Sequence, residues 1–238
     1  MLEEIMDTLL KKIPKKDLKN LFTFNVEAAV GSLKNPGTQS GVELPKGDSQ
    51  KNPFIVVFRH GISEDNVKRI HSGWRDSTPL TAEGIYQAKE IAPKLKDIMF
   101  DYYFQSDQIR SQETLKYAMG DRKYIPITDW RIKERNYGDL NGTSKEEAIK
   151  KDPLLAVLWR RSWDYPPPGG ESVEMVYYRV LSFLKELEYV LKAEIASAVI
   201  SCSGNSMKAI RKYYENLTEE QTAILENPTG QDYCLYNI

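Results

Sequence analysis

Two short apolar runs constrain this chain more than any other feature. Phe54-Ile-Val-Val-Phe58 and Ser197-Ala-Val-Ile-Ser-Cys202 carry no charge and show no alternation of polar and apolar residues. Such runs read as strands buried on both faces, which occur where helices cover both sides of a mostly parallel sheet. Between the two runs the pattern alternates. Thr81 is placed to cap a helix that turns Ile85, Ala88, Ile91, Leu95 and Ile98 to one side. Asp101–Gln105 and Ile125–Thr128 read as strands; Gln108–Met119, 144–151, 153–163, 171–193 and 205–214 read as helices; Asp232–Ile238 reads as a closing strand. Strands alternating with helices predict an α/β three-layer sandwich, a mostly parallel sheet with helices on both faces. In such a fold, ligands bind outside the carboxyl ends of the strands.

The first fifty residues differ. Leu2, Ile5, Met6, Leu9, Leu10 and Ile13 recur at helical spacing until Pro14, and a second short helix from Asp17 would bury Leu18, Leu21 and Phe22. Residues 31–52 are rich in Gly, Pro, Ser, Asn and Lys and read as a linker. The chain thus divides into an N-terminal helical extension and linker, 1–51, and an α/β domain, 52–238. The extension is either a helix packed on its own domain or a segment that meets a partner. It lacks Arg, unlike a mitochondrial presequence, and Glu3, Glu4 and Asp7 break any early apolar core of a secretory leader.

Composition removes several function classes. Lys plus Arg is 33 and Asp plus Glu is 34, a net charge of −1, which gives no support to nucleic-acid or membrane-surface binding. No apolar run approaches the ~20 residues of a membrane helix. The two cysteines, Cys202 and Cys234, are too few for a disulfide framework or a Cys-rich zinc site, and a cytoplasmic location is expected. With only His60 and His71, a three-histidine metal site is excluded.

Both buried strands end in small and polar residues: Phe58-Arg59-His60-Gly61 and Cys202-Ser203-Gly204-Asn205-Ser206. A neutral imidazole beside a guanidinium can attack phosphorus while the arginine holds the anionic oxygens; a satisfied structural histidine is the plainer alternative. Arg110 lies in the first turn of a helix, where anions are attracted. Arg160 and Arg161 are either a solvated face or, ahead of Pro166-Pro-Pro-Gly-Gly170, a pair held over a pocket. Lys145 starts another helix, and Glu134 sits in an irregular stretch where functional residues concentrate.

These residues together resemble the cofactor-dependent phosphoglycerate mutases of the histidine phosphatase superfamily, from about Phe54 to the end. Arg59-His-Gly61 with Ser63 and Asn66, Ser72-Gly-Trp-Arg-Asp76, Leu80-Thr-Ala-Glu-Gly84, and Ser106 through Arg110 with Thr114 match the early signatures. Trp130–Gly138, Leu140-Asn-Gly142, Lys145, Leu158–Trp163, Gly170-Glu-Ser172, Gly204-Asn-Ser206 and Asn227-Pro-Thr-Gly230 match the later ones. The resemblance implies His60 as the phosphorylated nucleophile, with Arg59, Arg110 and Asn66 binding the transferring phosphoryl group and Glu134 exchanging a proton with the substrate hydroxyl. It implies that Tyr137, Lys145, Arg160, Arg161, Ser72, Gly73, Gly204 and Asn205 hold the rest of a phosphoglycerate. The implied reaction interconverts 3-phosphoglycerate and 2-phosphoglycerate, in glycolysis and gluconeogenesis, with 2,3-bisphosphoglycerate as primer and no metal. Small-molecule phosphoglycerates are the implied partners, with a homo-oligomer as the implied assembly.

The chain departs from that pattern at Ser203, where the family carries a second catalytic histidine. Ser203 is expected to offer the phosphoryl group at most one longer hydrogen bond, and losing one preorganised donor costs ~10²–10³ in rate. His71 has no family role, and Asp65 adds a negative charge beside the phosphate site. The chain also stops near the end of the last strand, where family members continue with a mobile tail; a leakier pocket is expected. Two alternatives follow: a degenerate relative that binds phosphorylated ligands or a partner, and a histidine phosphatase.

Overall fold

The computed structural model describes residues 43–238. The helices expected in the N-terminal extension before Glu43 lie outside the described residues. In order, the elements are β1 (Phe54–Arg59), α1 (Glu64–Val67), α2 (Ala82–Leu95), β2 (Tyr102–Gln105), α3 (Ile109–Met119) and β3 (Pro126–Thr128). Two 3-10 turns, Trp130–Ile132 and Gly138–Leu140, precede α4 (Lys145–Lys151), α5 (Pro153–Arg161) and α6 (Val173–Glu194). The chain closes through β4 (Ser197–Cys202), α7 (Gly204–Glu215), α8 (Glu219–Ile224) and β5 (Cys234–Asn237).

The strands form one sheet in the order β3-β2-β4-β1-β5. All neighbours are parallel except β5, which runs antiparallel to β1. The register pairs Phe58 with Ser201 and Arg59 with Cys202. The residues after β1 and β4 therefore leave the sheet side by side, although they are far apart in sequence.

The uninterrupted apolar runs are explained by two cores. Ile55 and Val57 of β1 pack on one face with Val176, Leu184 and Leu191 of α6 and Met207 and Ile210 of α7. Phe54, Val56 and Phe58 pack on the other face with Ile91 and Leu95 of α2 and Leu115 and Met119 of α3. Each fully buried side chain of this kind contributes ~1.5–3 kcal/mol. Helices cover both faces, as the strand composition predicts.

Local departures have physical causes. The α2 helix ends at Leu95, two residues after Pro93, so Ile98 lies beyond it and is half-buried. Ile125 stands exposed outside β3. The last strand begins at Cys234 because Asp232 is drawn aside to Lys46 and Lys94. Within the stretch read as linker, Leu44 is buried in the core, Leu235 N donates to Pro45 O, and Gly47 N donates to Leu235 O. That part of the linker is packed on the outer strand. Among the described residues, no helix is long and apolar enough to cross a membrane.

Candidate active site

The neighbouring carboxyl ends of β1 and β4 build the floor of a cleft. His60 follows β1, and its backbone N donates to Cys202 O at 3.0 Å. The imidazole is buried, with Nδ1 2.7 Å from Gly61 O. A carbonyl only accepts, so Nδ1 carries the proton and Nε2 keeps its lone pair. Burial, then the charges of Arg110 and Arg59, hold the ring well below the usual histidine range. A neutral ring with one free nitrogen is the form that attacks an electrophile. Gly61 lets this turn approach α2: a Cβ there would stand 2.3 Å from Gly84 O.

Arg59, Arg110, Glu134 and Asn66 share the cleft with His60. Arg59 Nη1 donates to Asn227 O at 2.7 Å. Arg110 is fully buried and aimed by two carbonyls, Arg75 O at 2.8 Å and Gly73 O at 3.2 Å. Glu134 Oε1 accepts from Asn205 Nδ2 at 2.6 Å and Arg135 N at 2.7 Å. Burial alone would raise this carboxyl. The two hydrogen bonds and the charges of Arg110 and Arg59 outweigh it and hold the group well below the carboxylate range. Glu134 is thus an ionised proton acceptor beside a neutral imidazole.

A second group of charges lines the same cleft: Lys145, Arg160, Lys208 and Glu226, with Tyr137, His71, Ser72 and Gly73. Burial and the charge of Arg160 push Lys145 down to about 8. Burial pushes Lys208 down to about 7, against the pull of Glu226. His71, for which no role is expected, lines the cleft and packs against Tyr137 at 5.1 Å; burial and Lys145 push it down to about 4. Gly73 adopts φ +47, and a Cβ there would fall 1.7 Å from Asn141 Oδ1. Gly204 and Asn205 open α7 at the cleft wall.

Two expectations change, and a third is refined. Ser203 is fully buried and does not line the cleft. Its Oγ donates to Gln108 Oε1 at 2.9 Å, and the same oxygen accepts from Glu134 N at 2.9 Å. Gln108 Nε2 donates to Gly73 O at 2.9 Å. Ser203 therefore supports Gln108, which ties Glu134 to the Gly73 loop. Arg161 also lies outside the lining: it is 1% exposed and pairs with Glu226 at 2.5 Å, because the helix turns successive residues to different sides. Asp65 is buried and outside the lining, held by Thr78 Oγ1 at 3.0 Å and Arg75 at 3.5 Å, and its negative charge still acts on Arg110. Sequence reasoning missed Gln108, Lys208 and Glu226. The available signal was Gln108 at the N-cap of α3, two residues before Arg110.

The cleft is open to solvent, and about 930 Å³ of non-protein space lies within it and its mouth. Among the described residues, no cluster of His, Cys, Asp and Glu is suited to a metal ion. Residues 55–234 match the family described as histidine phosphatase superfamily (branch 1). The chain is 40% identical to a 2,3-bisphosphoglycerate-dependent phosphoglycerate mutase of Nitrobacter winogradskyi, over 74% of this chain and 88% of that one. A protein of the same name from Parvibaculum lavamentivorans is 39% identical over 74% and 87%. Among solved structures, a mycobacterial glucosyl-3-phosphoglycerate phosphatase shares the fold with a TM-score of 0.69 and 22% identity, covering 76% of this chain and 90% of its own.

Proposed function

The chain belongs to the histidine phosphatase superfamily, and from that footing we propose that it is an enzyme interconverting 3-phosphoglycerate and 2-phosphoglycerate through a phosphohistidine at His60. The observation that carries this reading is one cleft holding a neutral His60 beside an ionised Glu134, with a second set of cations at Lys145 and Arg160. A phosphatase acting on monophosphates needs only the first set. Two anionic ends on one small molecule need both. The donor set fits 2,3-bisphosphoglycerate for the same reason; when bound, that compound supplies the phosphoryl group that primes the enzyme.

The residues divide the work. His60 Nε2 attacks phosphorus, and Arg59 and Arg110 offset the charge that builds on the phosphoryl oxygens. Glu134 takes the proton of the attacking hydroxyl and returns it to the leaving one. Tyr137, Lys145 and Arg160, with the Ser72–Gly73 backbone, hold the carboxylate end. Positioning and electrostatics then carry the rate. A cytoplasmic setting is part of the same proposal.

A histidine phosphatase is the alternative: the cleft is open to solvent, so water can take the phosphoryl group in place of a substrate hydroxyl. One experiment separates the two. Purified protein is given 3-phosphoglycerate with catalytic 2,3-bisphosphoglycerate, and 2-phosphoglycerate and inorganic phosphate are followed together. Isomer formation faster than phosphate release is expected. Phosphate release faster than isomerisation would replace the mutase reading by the phosphatase one.

A further inference from the structure

We propose that Glu226 is a built-in counter-anion that sets which ligands the cleft holds, by competing with a ligand's distal anionic group for Arg160. The proposal rests on the phosphoglycerate reading above. Glu226 follows α8 and lines the cleft. Its Oε1 is 2.5 Å from Arg161 Nη2 and 3.3 Å from Arg160 Nη2. Lys208, buried and lining the same cleft, donates to Ala223 O at 3.3 Å and adds to the positive field on Glu226.

The two arginines are not equivalent. Arg161 is 1% exposed at its side chain and also donates to Ile224 O at 3.3 Å, so burial fixes it against Glu226. Arg160 is 26% exposed, makes the longer contact and lines the cleft. Glu226 is therefore a fixed partner for Arg161 and an exchangeable one for Arg160. An anion entering beside Arg160 must share it with a carboxylate already there. The repulsion scales with ligand charge. A distal phosphate is disfavoured more than a distal carboxylate, and an anion confined to the His60 end least, since Glu226 reaches it only through the field on Arg59. Glu226 thus tilts the cleft toward monophosphates bearing a carboxylate and away from bisphosphates.

Calorimetric titration tests this with three ligands: 2,3-bisphosphoglycerate, 3-phosphoglycerate and inorganic phosphate. In Glu226→Gln, 2,3-bisphosphoglycerate is expected to bind roughly tenfold tighter, 3-phosphoglycerate roughly two- to threefold tighter, and phosphate to change least. If Glu226→Gln does not fold because Arg161 is left buried without its carboxylate, the double variant Arg161→Met with Glu226→Gln removes the pair together and is expected to rank the three changes alike but by smaller factors, since a cation leaves with the carboxylate. No gain in affinity for 2,3-bisphosphoglycerate, or an equal change for all three ligands, overturns the proposal and leaves the phosphoglycerate reading standing. Failure of wild type and variants to bind either phosphoglycerate, with phosphate still bound, overturns both.

Discussion

Replacing Ser203 by His would restore the residue type that the family carries, yet the structure predicts no gain from it alone. Ser203 is fully buried, and its Oγ points at Gln108. An imidazole there must displace the Gln108 carboxamide or leave its rotamer. Overpacking a filled site costs ~1–3 kcal/mol, and the lost hydrogen bond adds about 1 kcal/mol. At ~2–4 °C per kcal/mol for a chain of this size, Ser203→His should melt roughly 5–15 °C below wild type. Its turnover of 3-phosphoglycerate should not rise. Adding Gln108→Ala opens the space, although it strips Glu134 N of its acceptor. The double variant should then exceed Ser203→His in kcat, approaching part of the ~10²–10³ that one oriented donor supplies. The two substitutions should couple by ~0.5–3 kcal/mol in thermal or urea unfolding. A tenfold or greater gain from Ser203→His alone, with melting unchanged, would show that Gln108 is not in the way.

Further predictions concern the charges and the core. Glu134→Gln keeps the size and one acceptor but removes the base; kcat should fall ~10²–10⁴ with little change in KM, and an unchanged kcat would remove Glu134 from the proton path. Lys208 at about 7 and Lys145 at about 8 are both lowered by burial first. Affinity for 3-phosphoglycerate should therefore hold below pH 7 and fall as pH rises through 8, and Lys208→Met should flatten the first part of that fall. For stability the sign is opposite. A lysine lowered on folding costs most below its folded value, and the cost fades as pH rises toward the ordinary lysine value. Lys208→Met should thus raise the melting temperature most near pH 6 and progressively less toward pH 10. Leu184→Ala, at a fully buried site in the α6-side core, should cost ~2–5 kcal/mol in urea unfolding, and a loss under 1 kcal/mol would contradict the packing described.

How far the sequence could be read depended on the kind of interaction involved. Phe54–Phe58 and Ser197–Cys202 announce doubly buried strands by composition alone, and Thr81 announces its helix by capping chemistry. These are local signals, and the sheet formed where they placed it. The antiparallel direction of β5 and the packing of Leu44 are set by contacts across the whole chain, which no window shows. The site divides in the same way. His60, Arg59 and Arg110 follow strand ends and a helix start, so their convergence in the cleft was legible. Ser203 was read toward the phosphoryl group, whereas its environment is set by Gln108, 95 residues earlier. Arg160 and Arg161 are adjacent in sequence, and only the rotation of α5 shows that one meets the cleft while the other is buried behind Glu226.

The most direct test of His60 as the phosphoryl carrier is to incubate the protein with 2,3-bisphosphoglycerate, quench in base and locate the phosphate by mass spectrometry. Acid-labile, base-stable phosphate on His60, absent from His60→Asn and discharged by 3-phosphoglycerate, is the predicted result. An unmodified His60 in protein that turns over 3-phosphoglycerate would contradict it.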